Sequence, residues 1–92
     1  MRFTLAHKRM VIGHRITVKV VAASGEEIER VVTKLDGRRL GDDRLAPAEV
    51  QYQRVYEQAG AAGPGSDHVL LVTATNGDNE KRTAGLRWTD TV

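Results

Sequence analysis

Apolar and polar residues alternate most regularly in the last third of the chain, where the pattern predicts a β-hairpin over residues 63–90. Residues 76–79, Asn-Gly-Asp-Asn, tolerate the positive φ angles of a tight turn between its two arms. Strand side chains alternate between the faces of a sheet, so each arm presents one apolar face. The residues that we expect to face inward are Leu70, Val72, Ala74, Ala84, Leu86 and Trp88.

A second alternating segment lies near the N-terminus. Ile16, Val18 and Val20 alternate with polar neighbours, which predicts a strand with one buried face. Residues 1–13, which precede it, contain several basic residues and alternate only loosely. We expect this first segment to form an edge strand or an extension of the domain.

Residues 24–37 fit either a helix or a pair of strands. Ser24 and Glu27 form a capping-box signature, and Gly37 is well placed to end a helix. The β-branched run at 31–33 and the turn dipeptide Asp36-Gly37 favour strands instead. Local signals alone lean toward the helix.

Residues 47–58 are ambiguous in the same way. Pro47 suits a first helical turn, whereas Val50, Tyr52 and Tyr56 alternate with polar residues as in a strand. The glycine- and alanine-rich residues 59–65 that follow predict a flexible connector into the final hairpin.

Length and composition indicate one globular domain. The chain has 92 residues, of which 40% are hydrophobic and 28% charged, so residues 1–92 are enough for a single domain with one core. Fourteen basic and twelve acidic residues give a formal charge of only +2, which gives little support for nucleic-acid binding.

Cysteine usage and hydropathy limit the chemistry and the location. The chain has no cysteine, which excludes disulfides, thiolate catalysis and cysteine-based zinc sites but leaves the compartment open. No stretch approaches the roughly twenty apolar residues of a membrane helix, and the first residues lack a continuous apolar region ahead of a small-residue cleavage site, so we expect neither an anchor nor an export signal in this sequence. We expect a cytoplasmic protein or an excised module of an exported one.

The histidines do not form a catalytic or metal-binding pattern. His7, His14 and His68 are the only ones, and none has a second histidine or a carboxylate pair at metal-ligand spacing on one element. His68 and Asp67 are adjacent, so their side chains point to opposite faces of a strand and cannot form an acid–base pair. We expect no catalytic residue, no cofactor and no metal site.

Two further segments are better explained by turns. The acidic residues Asp42, Asp43 and those of residues 76–80 fit no calcium-loop spacing. The glycines of residues 60–65 lack the lysine and the helix start that a phosphate-binding loop requires. Neither segment predicts a ligand.

Five segments together carry a family resemblance. They are the valine-rich strand at 16–20, residues 28–37 ending in Leu-Asp-Gly, residues 50–56, residues 62–75 with Pro-Gly-x-x-His-x-Leu-x-Val-x-Ala-Thr at 64–75, and residues 84–88. In this order they resemble bacterial immunoglobulin-like domains, which include fibronectin type III-like domains, over about residues 14–90. The resemblance implies a β-sandwich and carries no specific function.

The chain departs from the family pattern at several points. It has no cysteine pair, and its single tryptophan, Trp88, lies on the last predicted strand instead of the third. Arg54 and Val55 break the alternation of a middle strand, which raises the question of a bulge or a register slip there.

With this context we predict an all-β fold, an immunoglobulin-like sandwich of two antiparallel sheets. The alternative is a small α+β domain with one helix at about residues 25–36. The predicted core consists of Ile16, Val18, Val20, Ile28, Val31, Leu35, Leu40, Tyr52, Leu70, Val72, Ala74, Leu86 and Trp88.

The sandwich leaves more apolar residues outside than a solvated sheet requires. Val21, Val32, Val69 and Leu71 are the candidate partner surface. We therefore predict a non-enzymatic binding or structural module that associates with a protein partner, or weakly with itself, through a sheet face.

The alternative hypothesis is a small basic α+β protein that contacts nucleic acid through its N-terminal basic residues. It ranks second because the chain has one Phe, two Tyr and one Trp, and the core requires Trp88 and Tyr52. We expect no specific nucleic-acid binding and no membrane association.

Overall fold

The computed structural model describes residues 1–11, 13–58 and 67–89, and within these ranges the regular structure consists of seven β-strands and no helix. The strands are β1 (Arg2–Arg9), β2 (His14–Val21), β3 (Ile28–Leu35), β4 (Arg38–Arg44), β5 (Gln51–Gln58), β6 (Asp67–Asn76) and β7 (Lys81–Thr89). The all-β prediction is confirmed, and the α+β alternative with a helix near residues 25–36 is wrong.

The strands form two antiparallel sheets. One has three strands in the order β1-β2-β5, and the other has four in the order β4-β3-β6-β7. Buried residues of both sheets belong to one apolar cluster, so the sheets pack face to face as the sandwich prediction requires.

The centre of the core comes from the strands that alternate most regularly. Ile16, Val18 and Val20 of β2 belong to one apolar cluster with the inner face of β6, and all of these side chains are fully buried. The predicted core residues that are buried are Ile16, Val18, Val20, Ile28, Val31, Leu70, Val72 and Ala74. The others pack against them while partly exposed: Leu35, Leu40, Tyr52, Leu86 and Trp88.

Among the described residues, five buried ones lie outside the predicted core: His14, Thr33, Tyr56, Thr75 and Asn76. Thr33 is fully buried on β3, and Tyr56 of β5 is more deeply buried than Tyr52. The interruption at Arg54 and Val55 is not a bulge, because β5 pairs with β2 in unbroken register from Gln51 to Gln58. The register shifts lie in the pairing of β3 instead: Leu40 is the extra residue on β4 opposite Thr33 and Lys34, and Glu29 is the extra residue on β3 opposite Thr75 and Asn76.

The local signals in residues 24–37 form turns and strands. Glu27, the capping-box residue, accepts a hydrogen bond from the Ala48 amide through Oε2 (2.9 Å) instead of starting a helix. Asp36 and Gly37 adopt φ angles of 51° and 81°, which form the tight turn between β3 and β4. The predicted connector at residues 59–65 lies outside the described residues.

Candidate partner-binding surface

Three of the four predicted surface residues lie together on the outer face of the four-stranded sheet. Val69 and Leu71 are alternate residues of β6, and their neighbours Leu70 and Val72 face the core. Val32 lies on the outer face of β3, diagonally across from Leu71, because β3 and β6 pair Lys34 with Leu71 and Val32 with Thr73. We call Val32, Val69 and Leu71 the Leu71 patch.

Leu71 is the most accessible residue of this patch. Its exposed fraction is 43%, whereas that of Leu70 is zero. Across the strand pair, Leu71 faces Gly85 of β7, and a Cβ placed on Gly85 would lie 3.2 Å from Leu71 Cδ2. The leucine side chain therefore lies over bare backbone of an edge strand, where a partner can reach it.

Val21, the fourth predicted residue, is not part of this surface. It lies on β2, at the outer face of the three-stranded sheet. Val55 also lies on the outer face of this three-stranded sheet. One row of cross-strand neighbours, Thr4, Lys19 and Gln53, lies between Val55 and Val21. The prediction that Val21 lies near Leu71 fails because these two residues belong to different sheets.

Basic side chains flank the Leu71 patch. Lys34 lies directly opposite Leu71 on β3, Arg39 continues that row on β4, and Arg87 lies opposite Val69 on β7. Among the described residues, Lys34 and Arg87 make no ion pair. The apolar centre is thus bordered by free positive charge.

The acidic residue nearest to Val32 is already paired. Asp42, opposite Val32, accepts hydrogen bonds from Arg30 Nε (2.7 Å) and Arg30 Nη2 (2.5 Å), and from Arg39 Nη1 (3.3 Å). The Arg30 hydrogen bonds are the main cause that lowers the pKa of the Asp42 carboxyl, against a smaller opposing effect of burial. Asp42 is therefore ionised at neutral pH, and two arginines hold it.

The other acidic candidate, Asp43, faces the opposite way and closes one edge of the sandwich. It accepts a hydrogen bond from the Tyr52 hydroxyl (2.5 Å) and from Arg54 Nη1 (2.7 Å), both on β5. The hydrogen bond from Tyr52, followed by that from Arg54, lowers the pKa of Asp43, whereas burial and then this bond raise the pKa of Tyr52. These contacts join β4 to β5 across the two sheets.

A cluster of histidine and tryptophan rings lies where β1 meets β7. The sequence does not predict this cluster. The rings of His7 and Trp88 stack with centroids 4.0 Å apart, and His7 Nε2 lies 2.7 Å from His14 Nδ1. His68 approaches the same tryptophan at 5.5 Å between centroids. The members come from four different strands, so no spacing along the chain indicates that they meet.

His68 pairs with a carboxylate, but not with Asp67. Its Nδ1 lies 2.6 Å from Asp36 Oδ2 in the β3–β4 turn, while Asp36 Oδ1 accepts the Val69 amide at 2.8 Å. Burial would raise the pKa of Asp36, but the hydrogen bonds from His68 and Val69 outweigh it and lower the pKa. Asp67 instead accepts a hydrogen bond from Thr89 (2.6 Å).

At the opposite end, Asn76 organises the turn between β6 and β7. Its Oδ1 accepts the amides of Asp78 (3.0 Å) and Glu80 (2.9 Å), and its Nδ2 donates to Glu26 Oε2 (2.9 Å). The hydrogen bond from Asn76 is the main cause that lowers the pKa of Glu26.

Within residues 1–11, 13–58 and 67–89, no group of three or more His, Asp or Glu side chains is arranged to hold a metal ion.

The aromatic side chains pack in or against the core. Tyr56 is buried, and Phe3, Tyr52 and Trp88 pack against the core, which removes stacking platforms for bases. The absence of specific nucleic-acid binding stays a prediction. In the part of the chain that the structure describes, no helix could span a membrane.

No family model and no curated protein matches the sequence. Among solved structures, the chain is similar to the fibronectin(III)-like modules of Clostridium thermocellum CbhA, with 22% sequence identity and a TM-score of 0.60. The similarity covers 98% of this chain and 97% of that chain. The chain therefore has the two-sheet sandwich fold of fibronectin(III)-like and immunoglobulin-like domains.

Proposed function

We propose that this protein is a non-enzymatic binding or structural module that docks a protein partner through the Leu71 patch. The observation that carries the proposal is the 43% exposure of Leu71 beside Val69 and Val32 on one sheet face. A sandwich buries only the inner face of each sheet, so in a lone monomer Leu71 is exposed and Val32 and Val69 stay partly in contact with water. Covering them stabilises a complex by about 25 cal/mol per Å² of apolar area.

The surroundings of Leu71 suit a broad, flat partner. Gly85 has no side chain, and the next row across the sheet carries Thr73 and Thr83, whose hydroxyl oxygens lie 2.9 Å apart. These small residues leave Leu71 at the centre of a low surface. A flat sheet face with one accessible leucine supports docking of another protein surface.

The polar clusters support a role without catalysis. His68 and Asp36 secure the β3–β4 turn against β6, and Asp43 with Tyr52 and Arg54 closes the edge between β4 and β5. Each cluster already serves the fold. The similar structure consists of modules, which agrees with a module role for this chain.

Site-specific photo-crosslinking tests the location of the docking surface. A benzophenone side chain at position 71 should capture a protein from an extract of the source cells, and the same group at position 55 should not. Val55 is the matched control because its exposed fraction is 47% and it faces outward from the other sheet. The captured protein is then purified and its binding to the wild type, Leu71→Glu and Val55→Glu is measured.

We expect Leu71→Glu to fold and to lose the purified partner, because a charge replaces the centre of the apolar contact. Val55→Glu should bind like the wild type. Sedimentation equilibrium of the same three proteins tests weak self-association, the alternative to a foreign partner that the sequence predicts. Equal crosslinking from positions 55 and 71, with a monomeric wild type at high concentration, would refute docking through this face.

A further inference from the structure

We infer that the partner of the Leu71 patch is an acidic protein surface that carries an apolar side chain, and not a second copy of this chain. This inference rests on the proposed function. The argument for it is the positive charge that borders the patch. Every partner of the patch would bury the same apolar residues, so the bordering charges determine which partner binds well.

Positive charge dominates the outer face of the four-stranded sheet. Lys34 and Arg87 are the direct cross-strand neighbours of Leu71 and Val69, and both are exposed. The strand register places six cationic side chains at outer-face positions: Arg30, Lys34, Arg39, Arg44, Lys81 and Arg87.

The carboxylates on this face do not neutralise the positive charge of Lys34 and Arg87 beside the patch. Asp42 is held by Arg30 and Arg39, and the Arg39 side chain is still 55% exposed beside it. Asp67 lies at the start of β6 and accepts the Thr89 hydroxyl. Lys34 and Arg87 therefore present their charge outward, and a partner with carboxylates around an apolar residue complements both features.

A second copy fits this face poorly. A two-fold axis near β6 would bring the Lys34 and Arg87 side chains of both copies toward one another across the contact. Like charges placed together in an interface cost binding energy and suppress the wrong partner. Self-association through this face is thus opposed at low salt, where charges are least screened.

Three short fluorescent peptides test the inference by anisotropy. In the first, glutamates flank a central leucine; in the second, lysines flank the same leucine; in the third, glutamates flank a glycine. The proteins are the wild type, Lys34→Glu, Arg87→Glu and Leu71→Glu. Lys19→Glu and Val55→Glu are the matched controls, because Lys19 and Val55 lie on the outer face of the other sheet.

We expect the Glu-Leu peptide to bind most tightly. Its affinity should fall as salt rises from about 0.01 M to about 1 M, where the Debye length shrinks from about 30 Å to about 3 Å. Lys34→Glu and Arg87→Glu should each weaken it about two- to fivefold, the effect of one exposed ion pair. Leu71→Glu should weaken it most, and Lys19→Glu and Val55→Glu should leave it unchanged.

Other outcomes overturn the inference. Equal or tighter binding of the Lys-Leu peptide would show that the charge border does not select acidic partners, although the docking proposal would stand if Leu71→Glu abolished that binding. A wild-type dimer at low salt that Leu71→Glu disrupts would identify a second copy as the occupant. No binding of the Glu-Leu peptide at millimolar concentration refutes an acidic partner, whereas crosslinking from position 71 tests the docking proposal separately.

Discussion

Strand β6 carries two aliphatic faces that meet different surroundings. Leu70 and Val72 point between the sheets and are fully buried, whereas Leu71, between them in sequence, is 43% exposed on the outer face. The fold alone accounts for the inner face, since two sheets must bury an apolar surface to pack. It does not account for the outer face, which is why we assign that face to a partner.

The outer faces of the two sheets sharpen this contrast. Val55 on the three-stranded sheet is as exposed as Leu71, but its cross-strand neighbour is Thr17. Leu71 has Val69 along its own strand and Val32 diagonally across. A single exposed aliphatic residue is ordinary on a protein surface, so it is the clustering and not the exposure that indicates an interface.

The largest effect is expected at the inner face of β6. Leu70→Ala should lower the free energy of unfolding by about 2–5 kcal/mol, because a fully buried leucine leaves both lost transfer energy and a cavity. Urea unfolding followed by circular dichroism measures it. A loss below about 1 kcal/mol would contradict the assignment of this face to the core.

A single added methyl group on the inward side of β4 should also destabilise the protein. A Cβ on Gly41 would overlap the buried Tyr56 hydroxyl and come within 3.1 Å of Arg54 Nη1. Gly41→Ala should therefore cost about 1–3 kcal/mol in urea unfolding, the usual range for overpacking. Adding Tyr56→Phe should recover part of that loss, and equal losses with and without the hydroxyl would exclude this overlap as the cause.

Acid should weaken the contacts that close the edges and turns of the sandwich. The folded-state pKa values of Glu26, Asp36, Asp42 and Asp43 are lowered by their hydrogen bonds and ion pairs. A group with a lowered folded pKa stabilises the fold above its unfolded pKa and loses that contribution as pH falls through the folded value.

The urea midpoint should therefore fall between about pH 4 and pH 2, below the ordinary pKa of a carboxyl group. Asp43→Asn should lower stability at neutral pH and make the acid transition shallower. Asp78→Asn is the control, since Asp78 lies in the β6–β7 turn and its side chain makes no ion pair among the described residues. A midpoint that does not change over this interval contradicts the role of these carboxylates.

The smallest effect on stability is expected at the outer face. Leu71→Ala should change the free energy of unfolding by no more than about 0.5 kcal/mol, as for surface substitutions away from special features. Measured under the same conditions, Leu70→Ala and Leu71→Ala compare the two faces of one strand. Equal losses from both substitutions would remove the distinction between core and docking surface.

The features predicted from sequence are those that depend on alternation within one strand. The inward residues of β2 and β6, the Asp36-Gly37 turn and the outward position of Leu71 all follow from neighbours in the chain. The capping-box signature at Ser24 and Glu27 favoured a helix, but long-range pairing of the β-branched run in β3 with β6 outweighed it.

The features that were missed depend on which strands become neighbours. Val21 was grouped with Leu71 because both face outward, but the two belong to different sheets. The histidines meet at Trp88 only because β1 and β7 lie at facing edges of the two sheets. Arg54 breaks the alternation of β5 because it turns toward Asp43 of the other sheet, which a single strand pattern cannot reveal.

Methyl NMR of the wild type with selectively labelled valine and leucine tests the central claim most directly. On titration with the Glu-Leu peptide, the methyl resonances of Val32, Val69 and Leu71 should shift together, while those of Val21 and Val55 should stay in place. Shifts at Val21 and Val55, or equal small shifts at all five residues, would contradict a docking surface on the outer face of the four-stranded sheet.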